Sequence, residues 1–265
     1  MQYLFYSQCP ILSTAGSAGE ATFWHTRNKS QHIPDKETAH YWWHGSCAQF
    51  LSMDSARGNS AQPPQMYLKL GNHVDDVLEK HEILMPVRRI ISNKGYNNKS
   101  DNDLAILQMQ SPVTFTNYVN AVRLPTQDFP TNNNTCVAIG WGRFADNSAQ
   151  AINLQQTIMP IISYSSCDQE WFGLNTQKTG RICASSASLN ENSSICQGDS
   201  GGPILCQETV GKTKPFTIYG LSSQVDALSC LRKPGIFMRI FAYTTWITQV
   251  AQNVNEYPDQ QHTKV

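Results

Sequence analysis

The sequence predicts an all-β fold of antiparallel strands, with helix confined to short segments. Three observations predict it. From Met66 onward, short β-branched and aromatic segments recur at close intervals. Gly, Pro and Asn turns punctuate them, as in Asn93-Lys94-Gly95 and Lys233-Pro234-Gly235. The stretches with helical character are short, and the better one lies near the C-terminus.

Taken in order, strands are expected over 67–70, 83–91, 104–109, 135–139, 152–161, 202–205, 216–221 and 236–240. The first helix is expected over 163–171, where serines supply capping side chains. The second is expected over 242–253, where Trp246, Ile247 and Val250 fall on one face and can dock on the body. Residues 1–65 are polar and irregular, rich in Ser, His and Gln, with little strand alternation. The chain therefore divides into 1–65, a body over 66–254, and a polar tail over 255–265.

Composition narrows the class of function. The 265 residues carry 20 basic and 20 acidic side chains, so no net field favours nucleic acid or an anionic membrane. Apolar runs such as 83–87 and 203–206 are too short to span a bilayer. Eight cysteines without a Cys-x-x-Cys pair argue for disulfides in an oxidising compartment over a zinc site. Sequons at Asn28, Asn98, Asn133 and Asn192 are compatible with secretion. Residues 1–19 lack the basic start of a signal peptide, and Ser7, Gln8 and Pro10 interrupt their apolar stretch.

The most informative segment is Cys196-Gln197-Gly198-Asp199-Ser200-Gly201-Gly202-Pro203. A hydroxyl attacks a carbonyl only when it stands clear of side-chain bulk and beside backbone donors for the developing oxyanion. Glycines on both sides of Ser200 allow that approach. This segment resembles the nucleophile loop of the trypsin/chymotrypsin family of serine proteases. Further matches follow in that family's order. Asp101-Asn102-Asp103-Leu104-Ala105-Ile106-Leu107 resembles the strand of the buried aspartate, and Tyr67-Leu68-Lys69-Leu70-Gly71-Asn72-His73 resembles the strand before it. Cys136 with Gly140-Trp141-Gly142 resembles the start of a second barrel, and Thr245-Trp246-Ile247 resembles the terminal helix. The match covers residues 66–250.

The resemblance implies two antiparallel six-stranded barrels, the first expected to be incomplete, with a C-terminal helix. It implies an endopeptidase in which Ser200 attacks, a histidine takes the proton and Asp103 orients that histidine. Backbone N–H groups of Gly198 and Ser200 would bind the oxyanion. It selects the disulfides Cys136–Cys206, Cys167–Cys183 and Cys196–Cys230, leaving Cys9 and Cys47 to each other. The specificity pocket would be built from Ser194, Val225 and Gly235. Ser194 supplies no charge for a Lys or Arg substrate side chain, Val225 narrows the wall, and Gly235 leaves depth. Cleavage is expected after small or medium aliphatic residues. The implied partners are protein or peptide substrates and protein protease inhibitors. The chain is expected to be a secreted monomer made as a zymogen, with no cofactor and no metal. In the loop where family members often hold calcium, Asn72 replaces the usual first glutamate, so a solvated loop is preferred there.

Two features depart from the family pattern. Asp199 would pair with the new amino group of an Ile-Val-Gly-Gly-like terminus, and residues 1–65 contain no such tetrapeptide. The histidine motif, Thr-Ala-Ala-His-Cys in the family, is met only loosely by Thr38-Ala39-His40-Tyr41. His40 is therefore the first candidate. If Cys47 were the motif's cysteine, Ser46 would take the catalytic place, with His44 nearby. A non-catalytic homologue acting as a binding module is the alternative function. Residues 1–65 fit a divergent insertion, a truncated isoform or a mistranslated start equally well.

Overall fold

The computed structural model describes residues 67–96, 101–128, 136–143, 145–186, 193–207 and 216–256 in full, together with the backbone of three short strands that precede them. Those strands are β1 (Tyr3–Tyr6), β2 (Tyr41–His44) and β3 (Phe50–Leu51). They are followed by β4 (Tyr67–Leu70), β5 (Ile83–Ser92) and β6 (Ala105–Met109). One antiparallel sheet runs in the order β1-β6-β5-β4-β3.

The second sheet begins at β7 (Asn120–Arg123) and continues with β8 (Cys136–Gly140), β9 (Gln155–Ile158) and β10 (Arg181–Ala184). It is completed by β11 (Pro203–Gln207), β12 (Phe216–Gln224) and β13 (Gly235–Arg239). Its order is β10-β13-β12-β11-β8-β9, with β7 against β12 and β2 against β7. The described strands number five in the first sheet and eight in the second, β2 and β7 included, against an expectation of six each with the first incomplete. These two sheets with a short C-terminal helix make a chymotrypsin-like two-barrel fold.

The burial of β6 shows how the halves meet. All five of its residues are buried, so polar alternation is absent. Leu107 and Met109 enter a cluster with Leu68, Leu70, Met85 and Val87 inside the first sheet. Ile106 and the adjoining Leu104 pack instead with Leu205, Leu221, Met238 and Ile247 of the second half. A strand with both faces covered reads as a continuous apolar run. Each fully buried Leu or Ile contributes roughly 1.5–3 kcal/mol relative to exposure.

Helix α1 (Tyr164–Glu170) is capped by Ser163, whose hydroxyl accepts from the Ser166 N–H. Helix α2 (Thr244–Gln252) follows a 3-10 turn at Ile240–Tyr243 and buries Ile247 and Val250. Three disulfides join Cys136–Cys206, Cys167–Cys183 and Cys196–Cys230. The first links β8 to β11 at directly opposed residues and closes a sequence span of 70. In the chain-entropy account such closure stabilises by roughly 4 kcal/mol. Cys9 and Cys47 lie outside the described residues.

Candidate active site

The turn before β6 carries Asp103. Asn102 adopts φ +53°, a left-handed conformation tolerated by Asn, and its carbonyl accepts from the Leu104 N–H at 2.8 Å. Asp103 is 5% exposed, and its Oδ2 accepts from the Ser223 hydroxyl at 2.7 Å. Ser223 belongs to β12, so a carboxylate from the first half is held by the second.

The nucleophile loop is tied to the same strand. Gly201 N–H donates to Ser222 O at 2.8 Å, and Ser222 N–H donates to Gly202 O at 2.7 Å. Ser200 thus precedes a glycine bonded to Ser222, and the next residue, Ser223, holds Asp103. The Cys196–Cys230 disulfide anchors the start of the loop. Gly198 has φ +98°, and a Cβ there would strike the Gln150 carboxamide, so the position requires glycine. Among the described residues the Gly198 N–H has no acceptor.

Asp199 points away from Ser200 toward Gly140 and Gly142. A Cβ at either glycine would overlap its carboxylate. Its Oδ1 accepts from the Gly142 N–H at 2.8 Å and its Oδ2 from the Cys196 N–H at 2.9 Å. Burial pushes its carboxyl above the usual range, and these two bonds oppose that rise without cancelling it. Among the described residues it has no cationic partner.

Of the residues expected to build the pocket, Ser194 is half-buried, and Val225 packs against a cluster containing Ile195, Ile182, Tyr219 and Phe237. Gly235 is buried at the start of β13, with Ile195 beside it. A Cβ there would lie 2.7 Å from Ile195 Cγ1 and 2.8 Å from its Cδ1, so Ile195 fills that space. Ile195 is 3% exposed and was missed in the sequence, although it stands between Ser194 and Cys196. Its proximity to Gly235 comes only from folding. Next to Val225, Asp226 is buried and pairs with Arg232 at 3.1 Å. A bond from the Leu228 N–H, burial outweighed, and the Arg232 charge hold its carboxyl below the usual range.

The histidine is the unplaced member. His40 lies outside the described residues. His44 ends β2, whose backbone registers it opposite Asn120 of β7. The strand beside β6 on its other edge is β1, Tyr3-Leu4-Phe5-Tyr6, with Tyr6 opposite Ala105. Among the fully described residues the histidines are His73 and His81, both in the 72–82 loop.

In that loop, expected to be solvated, several charged groups are bonded to one another or to the backbone. The Lys69 ammonium sits 3.1 Å from Asp75 O and 3.6 Å from its carboxylate. Glu79 accepts from the backbone N–H groups of His73 and Val74. Glu82 has a buried carboxylate oxygen without a hydrogen bond.

Comparison with known proteins agrees with this architecture. A family profile described as Trypsin matches residues 57–247. Chymotrypsin-like elastase family member 1 of Rattus norvegicus is 31% identical over 187 residues, covering 68% of each chain. The protein of the same name from Felis catus is 34% identical over 170 residues, covering 62% of this chain and 61% of its own. That from Bos taurus is 31% identical over 191 residues, covering 69% of each. The chain thus spans between 61% and 69% of the length of these relatives.

Proposed function

The chain belongs to the trypsin family of serine-type endopeptidases, and from that membership we propose that it cleaves peptide bonds through Ser200, after small or medium aliphatic residues. In this reading a histidine, with His40 first among the candidates, takes the Ser200 proton as the hydroxyl attacks the carbonyl. Asp103 holds that histidine in the required tautomer. The N–H groups of Gly198 and Ser200 receive the oxyanion. The observation that supports the reading is that the Ser223 hydroxyl donates to Asp103 while its chain neighbour Ser222 bonds to Gly201 and Gly202, the residues that follow Ser200.

The specificity follows from what lines the pocket. Ser194 brings no charge, Val225 narrows the wall, and Ile195 shortens the space beside Gly235. A cationic side chain entering it would lose water without gaining a partner. The substrates are proteins or peptides, protein protease inhibitors would compete for the same cleft, and the chain acts as a secreted monomer. The three disulfides fit an extracellular protein.

A second reading is a non-catalytic homologue that binds without cleaving. It is favoured by the strand beside β6, which contains no histidine, and by His44 lying in a strand paired with β7. A fluorophosphonate probe separates the two. Labelling that disappears in Ser200→Ala, with hydrolysis of peptides carrying Ala, Val or Leu before the bond, supports the protease. Absence of labelling in folded, processed protein supports the homologue. Cleavage mainly after Arg would refute the assigned specificity.

A further inference from the structure

The chain contains an ion pair, buried on its arginine side and half-buried on its aspartate side, that the proteolytic reading does not use. Arg181 opens β10 with a side chain only 4% exposed, and its Nη2 lies 2.9 Å from Asp101 Oδ1. The partners come from different halves: β10 is in the second sheet, and Asp101 lies in the turn before β6. The next residue of that turn is held from the second half as well. Tyr243 Oη donates to Asn102 Oδ1 at 3.3 Å, while Asn102 Nδ2 donates to Gly95 O at 2.9 Å. Tyr243 is itself fixed against Gly180, where a Cβ would come within 2.7 Å of the phenol oxygen. Gly180 O accepts from the Arg239 N–H at 2.9 Å, which ties this contact to β13. Three consecutive residues, Asp101, Asn102 and Asp103, are therefore gripped by Arg181, Tyr243 and Ser223 of the other half.

We infer that Arg181 and Tyr243 are positioning residues, forming a clamp by which the second half sets the turn that presents Asp103 to the active site. The inference rests on the proteolytic reading for Asp103's role. Stability alone is a poor reason for such a pair, since burying the Arg181 charge costs much of what its attraction to the half-exposed Asp101 returns. What a buried guanidinium supplies is direction, because its planar fork accepts a carboxylate in few geometries. Tyr243 is suited to its part: burial first, offset in part by Arg181 and Arg239, pushes its phenol up to about 12. It therefore stays a neutral donor over the working range. Asn102 tolerates its left-handed backbone, and the bond from Tyr243 fixes the orientation of its side chain.

The test uses the full chain carrying Arg181→Met. A shift of about 1 Å in Asp103 is expected to lower kcat and the rate of Ser200 labelling roughly tenfold to hundredfold, with KM changed less than about twofold. Arg181→Lys should restore part of the rate, since it returns the charge without the fork. Amide exchange at Leu104, whose N–H is bonded to Asn102 O, should quicken in Arg181→Met while β11 is unaffected. Unchanged kcat and unchanged Leu104 exchange would overturn the inference. Should the wild-type chain neither label nor cleave, the proteolytic reading fails, and Leu104 exchange alone decides: quickened supports the clamp, unchanged refutes it. Should Arg181→Met fail to fold, Arg181→Met/Asp101→Leu removes both charges and leaves none unpaired. Slow turnover or quickened Leu104 exchange in that folded double variant supports the clamp, and wild-type values for both refute it.

Discussion

Placing a single methyl group at Gly235 is the most direct probe of the pocket. The added Cβ of Gly235→Ala would lie 2.7 Å from Ile195 Cγ1 and 2.8 Å from its Cδ1, more than half an ångström inside ordinary contact. Ile195 is 3% exposed and packed in a cluster with Tyr219 and Phe237, so it has little room to retreat. Overpacking of this kind costs about 1–3 kcal/mol. Ile195→Ala alone removes three carbons from the same site and costs about 2–4 kcal/mol from lost burial and the space left behind. In the double variant the new methyl enters the vacated volume, so the two effects should not add. The coupling is expected to be about 1–2 kcal/mol in favour of the double variant. Urea unfolding of the four proteins in the cycle measures it without requiring activity. Costs that add to within about 0.3 kcal/mol would show that Ile195 does not fill the space beside Gly235, and the proposed specificity would lose its basis. On the proteolytic reading, Ile195→Ala should also raise kcat/KM for Phe relative to Ala before the scissile bond by about tenfold or more.

Two further predictions concern the nucleophile loop. Burial raises the Asp199 carboxyl above 3.8, so its protonated form is the one the folded state favours. Its contribution to stability is fully present below the unfolded value and is lost as pH rises through the raised one. Stability of the wild type relative to Asp199→Asn should accordingly decline as pH rises from about 4, then level off; a difference that grows with pH would contradict the assignment. Replacing Cys196 and Cys230 together by Ala releases a span of 34 residues, and is expected to cost roughly 3–4 kcal/mol in denaturant unfolding. A cost below about 1 kcal/mol would show that the loop is held by its backbone bonds to Ser222 instead.

The sequence made the interior strands plain because each carries its own signal. Strands β4, β5 and β6 fall almost where β-branched and apolar runs place them, and Ser163 marks the start of α1 through its capping chemistry. The strand expected over 152–161 shrinks to Gln155–Ile158, because Asn153 and Leu154 pair instead with the backbone of Val74 and His73, and Pro160 offers no N–H to the ladder. Strand β7 was not read at all: Asn120-Ala121-Val122-Arg123 gains its form from β2 and β12 on either edge, not from its own pattern. The same holds for β10, where Arg181 looks out of place until Asp101 is seen against it. Ser200 and Asp103 stand out in the sequence because the glycines and the flanking residues form contiguous motifs. Ile195, Ser223's bond to Asp103 and the two backbone bonds of Asp199 join residues distant in sequence, and no local signal could announce them.

Strands β1, β2 and β3 have a consequence for any shortened form of the protein. Reading along the chain, the backbone visits the β6 edge of one sheet, crosses to the β7 edge of the other, and returns to lie beside β4. A version starting at residue 66 would keep its nucleophile loop and all three disulfides yet expose three bare ladder edges, each able to recruit a strand from a neighbour. Such a product should stick to itself before it unfolds, and the leading segment therefore acts as selvedge for the whole fabric.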